Sequence, residues 1–125
     1  MSKRISKLLV ISVICVLFLS LGSQVFAQKL PVVGISTGSS GTSWRDIMIA
    51  AMQEVGDEYK AAGKIADYKI VNNIVNGDAT EQANILRDFI SQGMDIIMVN
   101  PNSPDALNGV IKEADAANIT TIANG

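Results

Sequence analysis

Leu30-Pro31-Val32-Val33-Gly34-Ile35-Ser36-Thr37-Gly38-Ser39-Ser40-Gly41-Thr42-Ser43-Trp44 is a short apolar run that opens through a Gly/Ser loop onto a helical pattern. A buried strand followed by such a loop and a helix start is the unit from which open α/β sheets build ligand sites. The loop falls at the carboxyl end of the strand, and the first helical N–H groups have no partner inside the helix.

Working outward, Trp44, Met48, Ala51, Val55 and Tyr59 recur at helical spacing and predict a helix over 44–62 with this stripe as its apolar face. Thr42 or Ser43 supplies the cap and Gly63 the stop. A second strand is predicted over 68–75, turning at Asn76-Gly77. Asp78-Ala79-Thr80-Glu81 reads as a capping box for a second helix that buries Ala83, Leu86, Phe89 and Ile90 and stops at Gly93. Ile96-Ile97-Met98-Val99 is continuously apolar, as befits a strand covered on both faces. Ser103-Pro104 places a cap and a first-turn proline before a third helix, with Leu107, Val110, Ile111, Ala114 and Ala117 as its buried face. Thr120-Thr121-Ile122-Ala123 begins a fourth strand. Strict alternation of strand and helix implies right-handed crossovers, hence an α/β fold with a parallel sheet and helices on both faces.

Ahead of this pattern stands an export leader. Lys3, Arg4 and Lys7 give a positive start, residues 8–21 are almost wholly apolar, and Val25-Phe26-Ala27 offers small residues at −3 and −1 for cleavage after Ala27. The apolar run of 14 residues is shorter than a membrane span requires, which sets the leader above the alternative of an uncleaved anchor. Residues 1–27 are thus read as a signal peptide and 28–125 as a mature domain of 98 residues (125 less 27), destined for the periplasm. Cys15 lies inside the discarded apolar run.

Cleavage alters the charge balance. Of 10 Lys and Arg, three leave with the leader, so seven face 12 Asp and Glu for a net charge of −5, which argues against a nucleic-acid partner. The mature chain contains no cysteine, and the whole chain no histidine. Thiolate metal sites, thiol nucleophiles, imidazole bases and Ser-His-Asp triads are therefore unavailable, and neither a metal nor a cofactor is expected.

The loops after the strands carry hydroxyls and carboxamides, groups that both donate and accept and so suit a neutral polyhydroxylated ligand. Candidate contacts are Ser40, Ser43, Trp44, Arg45, Asn100 and Asn124. Trp44 offers a flat face for a sugar ring, or else a core residue under the first helix. Arg45 forks onto ligand oxygens, or else is a solvated helix-start arginine. Rival motifs fail on spacing. Gly34, Gly38 and Gly41 do not form G-x-G-x-x-G, no G-x-x-x-x-G-K-[ST] occurs, and Ser40 lacks the flanks of a nucleophile elbow. Asn118-Ile119-Thr120 matches a glycosylation acceptor by chance, in a helix-to-strand turn.

Val33-Gly34-Ile35-Ser36, the loop to Trp44, Glu81-Gln82-Ala83-Asn84-Ile85-Leu86, residues 93–101 and Asp105-Ala106-Leu107 together resemble the type I periplasmic sugar-binding proteins of ABC importers, the ribose-binding-like family. The resemblance runs through essentially the whole mature chain, in order. It implies two α/β lobes with the sugar trapped between them, this chain supplying an incomplete first lobe. It also implies a monomer that delivers sugar or polyol to an ABC permease in the inner membrane, without enzymatic activity. By the same resemblance Trp44 alone keeps the stacking role of the family's aromatic pair, Ser40 or Gly41 replaces an asparagine, and Asn100 contacts sugar hydroxyls. The acidic ligand expected after the fourth strand is missing at Asn124-Gly125. The chain stopping directly after an apolar strand fits the front part of a longer protein, the alternative being a small four-stranded domain. Two other classes share these lobes or this export route: a sugar-sensing receptor or chemotaxis domain, and an exported α/β hydrolase with its catalytic residues beyond Gly125.

Overall fold

Four short strands form one parallel sheet in the order β2-β1-β3-β4, with β1 at Val32–Ser36, β2 at Asp67–Val71, β3 at Ile96–Val99 and β4 at Thr120–Ala123. Three helices connect them: α1 at Ser43–Ala61, α2 at Ala79–Ser91 and α3 at Asn108–Ala116. The computed structural model describes residues 28–38, 41, 43–72, 77–103 and 105–124. The expected leader and its cleavage point after Ala27, Ser40, the Thr42 cap, the Asn76 turn position, Pro104 and Gly125 lie outside the described residues.

Because β2 lies on one side of β1 and β3 on the other, right-handed crossovers put α1 on one face and α2 with α3 on the opposite face. The register fixes which side chains meet each helix. Gly34 pairs with Ile97 and Ser36 with Val99, so these point toward α2 and α3, whereas Ile35, Met98 and Ile122 line the α1 side. The core sits on the α2/α3 face, where Leu86, Phe89, Ile97, Leu107 and Val110 are essentially solvent-free. Each such side chain contributes about 1.5–3 kcal/mol by leaving water.

Local signals end the elements. Asp78 Oδ1 accepts the N–H of Thr80 (2.8 Å) and of Glu81 (3.2 Å), satisfying two donors at the start of α2. Gly93 follows α2 with φ +71°, and Asn118 ends α3 with φ 58°, both in the left-handed region that closes helices.

Three expectations are corrected. The stripe Trp44, Ala51, Val55, Tyr59 does not face the sheet; those residues are exposed, while Ile49 and Gly56 are buried and Met48 and Met52 half-buried. Both stripes have helical period. The packing selects the second because Gly56 lets the helix close onto the ring of Tyr68, which stands 2.6 Å from where a methyl on Gly56 would be. The third helix starts at Asn108 rather than at Ser103: Ser103 Oγ accepts the N–H of Ala106 (3.4 Å), and residues 105–107 form a turn that drives Leu107 into the core. Ala117, expected to be buried, is exposed at the end of α3.

At the amino ends of the strands, Asp95 fastens the entry to β1. Its Oδ2 accepts the N–H of Val32 (2.9 Å), its Oδ1 meets Lys29 Nζ (2.9 Å), and its own N–H donates to the Val32 carbonyl (2.9 Å). The Val32 N–H, and after it the Lys29 ammonium, hold the Asp95 carboxyl below its ordinary value of 3.8. A lowered folded-state pKa stabilises the fold above the unfolded value and ceases to do so as pH falls through the folded one. Asp95→Asn is therefore expected to lower the melting temperature at neutral pH, with the gap to wild type closing as the solution is acidified below that ordinary value. Melting curves across pH check this, and a constant gap refutes it.

Candidate functional site

The chain turns from β1 to β2 on one side and reaches β3 on the other, so the switch point of the sheet lies between the carboxyl ends of β1 and β3. A switch point of this kind is where open α/β sheets hold ligands. Backbone bonds extend the sheet into this region: Thr37 N–H to the Val71 carbonyl (3.2 Å), Asn100 N–H to that of Ser36 (2.9 Å), and Asn124 N–H to that of Val99 (3.0 Å).

Around the switch point, Gly38 marks a close approach. A methyl there would stand 2.5 Å from Asn102 Oδ1 and 2.8 Å from Arg45 Nη1. One added at Gly77 would stand 3.8 Å from the same Asn102 oxygen. The loops after β1, β2 and β3 and the first turn of α1 thus converge on Asn102 and Gly38. Gly77 itself has φ +68°, a turn conformation that other residues adopt at a cost.

Trp44 is 55% exposed and so is not a core residue; the Arg45 guanidinium lies 4.9 Å from its ring centroid. This stacking orients both groups. Arg45 Nη1 is buried and forms no hydrogen bond among the described residues. Ser43 forms part of the first turn of α1 and is exposed. Asn100 Nδ2 donates to the Asn124 carbonyl (2.9 Å), so those two candidates are joined directly, the exposed Asn124 through its backbone. The structure thus brings Trp44 and Arg45 together, and separately Asn100 and Asn124.

Sequence reasoning missed Gln82, a completely buried side chain of α2. Its Nε2 donates to the Asn100 carbonyl (2.9 Å) and Ser36 Oγ (3.3 Å), and its Oε1 accepts the N–H of Asn102 (2.8 Å). A signal was present: Gln82, Leu86 and Phe89 share helical spacing, so a polar residue stood inside an apolar stripe. Asn102 was missed as well, standing one residue beyond the Asn-Pro pair.

A separate groove of about 380 Å³ between α1 and β2 is lined by Gln53, Asp57, Lys60, Asp67, Tyr68 and Ile70. Its polar groups are engaged with one another: Lys60 Nζ with Asp67 (2.8 Å), and the Tyr68 hydroxyl with Asp57 Oδ1 (2.9 Å) and the Gln53 carbonyl (3.1 Å). The Asp57 carboxylate, foremost among the causes, holds the Tyr68 phenol above its ordinary value of 10.0. Among the described residues, no three His, Cys, Asp or Glu side chains gather in a metal-binding group.

Residues 33–124 match the model of the periplasmic binding protein domain, and the chain belongs to that family. A solved ABC transporter solute binding protein from Thermobispora bispora is similar to it at 36% identity and TM-score 0.72, covering 74% of this chain and 29% of its own length. A galactofuranose binding protein is similar at 28% identity and TM-score 0.59, over 74% and 29%. A solute binding protein from Bacillus halodurans with bound myo-inositol is similar at 25% identity and TM-score 0.60, over 76% and 31%. The chain thus spans less than a third of the length of these structures. The parallel α/β sheet expected from the sequence is the one these proteins share. Comparison with curated proteins gave no match.

Proposed function

We propose that this chain is part of the first lobe of an exported solute-binding component of an ABC import system, one that captures a small neutral sugar or polyol and delivers it to the membrane permease. The observation that carries the reading is the convergence at the carboxyl edge of the sheet, where the exposed Trp44 ring stacks on Arg45, Arg45 and Asn102 both approach Gly38, and Asn100 is joined to Asn124. An apolar ring face beside groups that both donate and accept matches the two kinds of surface on a sugar ring. The sugar and polyol named for two of the similar structures support the same ligand class. The mature chain offers neither thiol nor imidazole, which favours binding over catalysis. Cleavage of the leader after Ala27, release into the periplasm and action as a monomer complete the proposal.

In this reading the second lobe closes over the ligand and supplies its other face, so the chain alone has affinity only in the millimolar range. Nuclear magnetic resonance titration with pentoses, hexoses, a galactofuranoside and myo-inositol tests it. Shifts are expected at the Trp44 indole, Arg45, Gly38 and Asn100. Gly38→Ala is expected to keep the melting temperature, since the methyl meets only the ends of flexible side chains, and to abolish those shifts by displacing Arg45 and Asn102. Shifts centred on the Tyr68 groove, or none at the strand ends, overturn the proposal.

A further inference from the structure

We infer that Gln82 is the positioning residue of this site: without meeting the ligand, its carboxamide sets where Asn100 and Asn102 stand at the switch point. The inference rests on the sugar-binding reading for its functional meaning and on hydrogen-bond geometry for its substance.

The need for such a residue begins with Pro101. Proline has no N–H, so beyond the Asn124 N–H to Val99 carbonyl bond the backbone leaving β3 cannot continue its ladder with β4, and the Asn100 side chain takes the Asn124 carbonyl instead. On the β1 side the next donor, the Asn102 N–H, goes to Gln82 rather than to a strand. Gln82 stands at the first turn of α2, at the top of the stripe that continues through Leu86 and Phe89 into the core. Its three hydrogen bonds use both Nε2 protons and Oε1, to the Ser36 hydroxyl, the Asn100 carbonyl and the Asn102 N–H. One side chain thus grips the end of β1 and both sides of Pro101.

The consequences travel outward through contacts already described. Asn102 Oδ1 is the group that confronts Gly38 and Gly77, and the Asn100 carboxamide holds the end of β4. Displacing the Gln82 carboxamide therefore moves the β3 loop relative to β1, β2 and β4 together. A residue that merely filled the space would be replaceable by methionine, which has similar length and helix propensity. Gln82→Met leaves a hydroxyl, a carbonyl and an N–H to find new partners.

Hydrogen exchange of the whole chain, as recovered from the expressing cell, tests the inference. In the wild type the Asn102 amide, although in a loop, is expected to exchange through the same opening as the Leu86 and Phe89 amides, because it is released only when α2 lifts. In Gln82→Met its exchange is expected to rise at least about tenfold more than that of Phe89. The sugar-induced shift at Asn100 is expected to need several-fold more sugar. Free-loop exchange of Asn102 in the wild type, or unchanged relative protection in the variant, overturns the inference. The wild-type measurement decides even if the variant does not fold. A chain that protects Asn102 in this way but shows no sugar shift refutes the binding proposal and leaves the positioning role standing.

Discussion

Alanine at Gly34 is expected to lower stability by about 1–3 kcal/mol, the usual cost of overpacking a well-filled core. Gly34 is buried in β1 on the α2 side, where a methyl would come within 2.7 Å of Phe89 Cδ2 and 2.8 Å of Cγ. Phe89 cannot swing away, because Leu86, Ile97, Val110 and Met94 belong to the same buried cluster. Phe89→Ala alone is expected to cost about 3–5 kcal/mol through lost burial and the cavity it leaves. The two changes are expected not to add. With the ring gone, the methyl at position 34 enters the void, so the double variant recovers about 0.5–3 kcal/mol relative to the sum. Urea denaturation of the four proteins measures this coupling. Simple additivity would mean that the ring does not rest on the Gly34 backbone.

In the full-length, two-lobe protein, Trp44→Ala is expected to weaken sugar binding by about 1–3 kcal/mol, or roughly 5- to 150-fold, by removing the flat face against which a ring lies. Its stability is expected to change by about 0.5 kcal/mol or less, because the side chain is 55% exposed and touches the core little. Asn100→Ala is expected to weaken binding to a similar degree, and also to destabilise by about 1 kcal/mol, since the bond to the Asn124 carbonyl goes with it. Titration and melting of the same samples separate the two effects. Unchanged binding with a lower melting temperature in Trp44→Ala would make the tryptophan a packing residue.

The contrast between these two residues shows what kind of information local sequence carries. The stop at Gly93, the cap at Asp78 and the apolar run of β3 were legible because each acts within a few residues of itself. A carboxylate that satisfies N–H groups two and three residues on does so whatever surrounds it. Trp44 was legible as a candidate and ambiguous as a role. Ring chemistry suits both a sugar and a core, and only the rotation of α1 exposes it.

That rotation was hidden because α1 carries two apolar stripes. Helical period is equally good for Trp44, Ala51, Val55 and Tyr59 and for Ile49, Met52 and Gly56. The choice depends on Tyr68 in β2, a partner the helix meets only once the chain has turned back on itself. The late start of α3 has a similar origin. Ser103 and Pro104 are good local initiators, but Leu107 gains more by entering the core at the end of a turn.

Composition and periodicity, read alone, determined the alternation of strands and helices, the parallel sheet and the hydroxyl- and carboxamide-rich character of its carboxyl edge. These follow from hydrophobic spacing, capping and the handedness of crossovers, all of which act over short stretches of chain. Tertiary structure alone decided that β1 sits between β2 and β3, and hence where the switch point falls. It alone turned Gln82 inward to bind the Asn100 carbonyl and the Asn102 N–H on either side of Pro101. Strand order and buried polar pairing depend on groups tens of residues apart, and their energies exist only once those groups have been brought into contact and shielded from water.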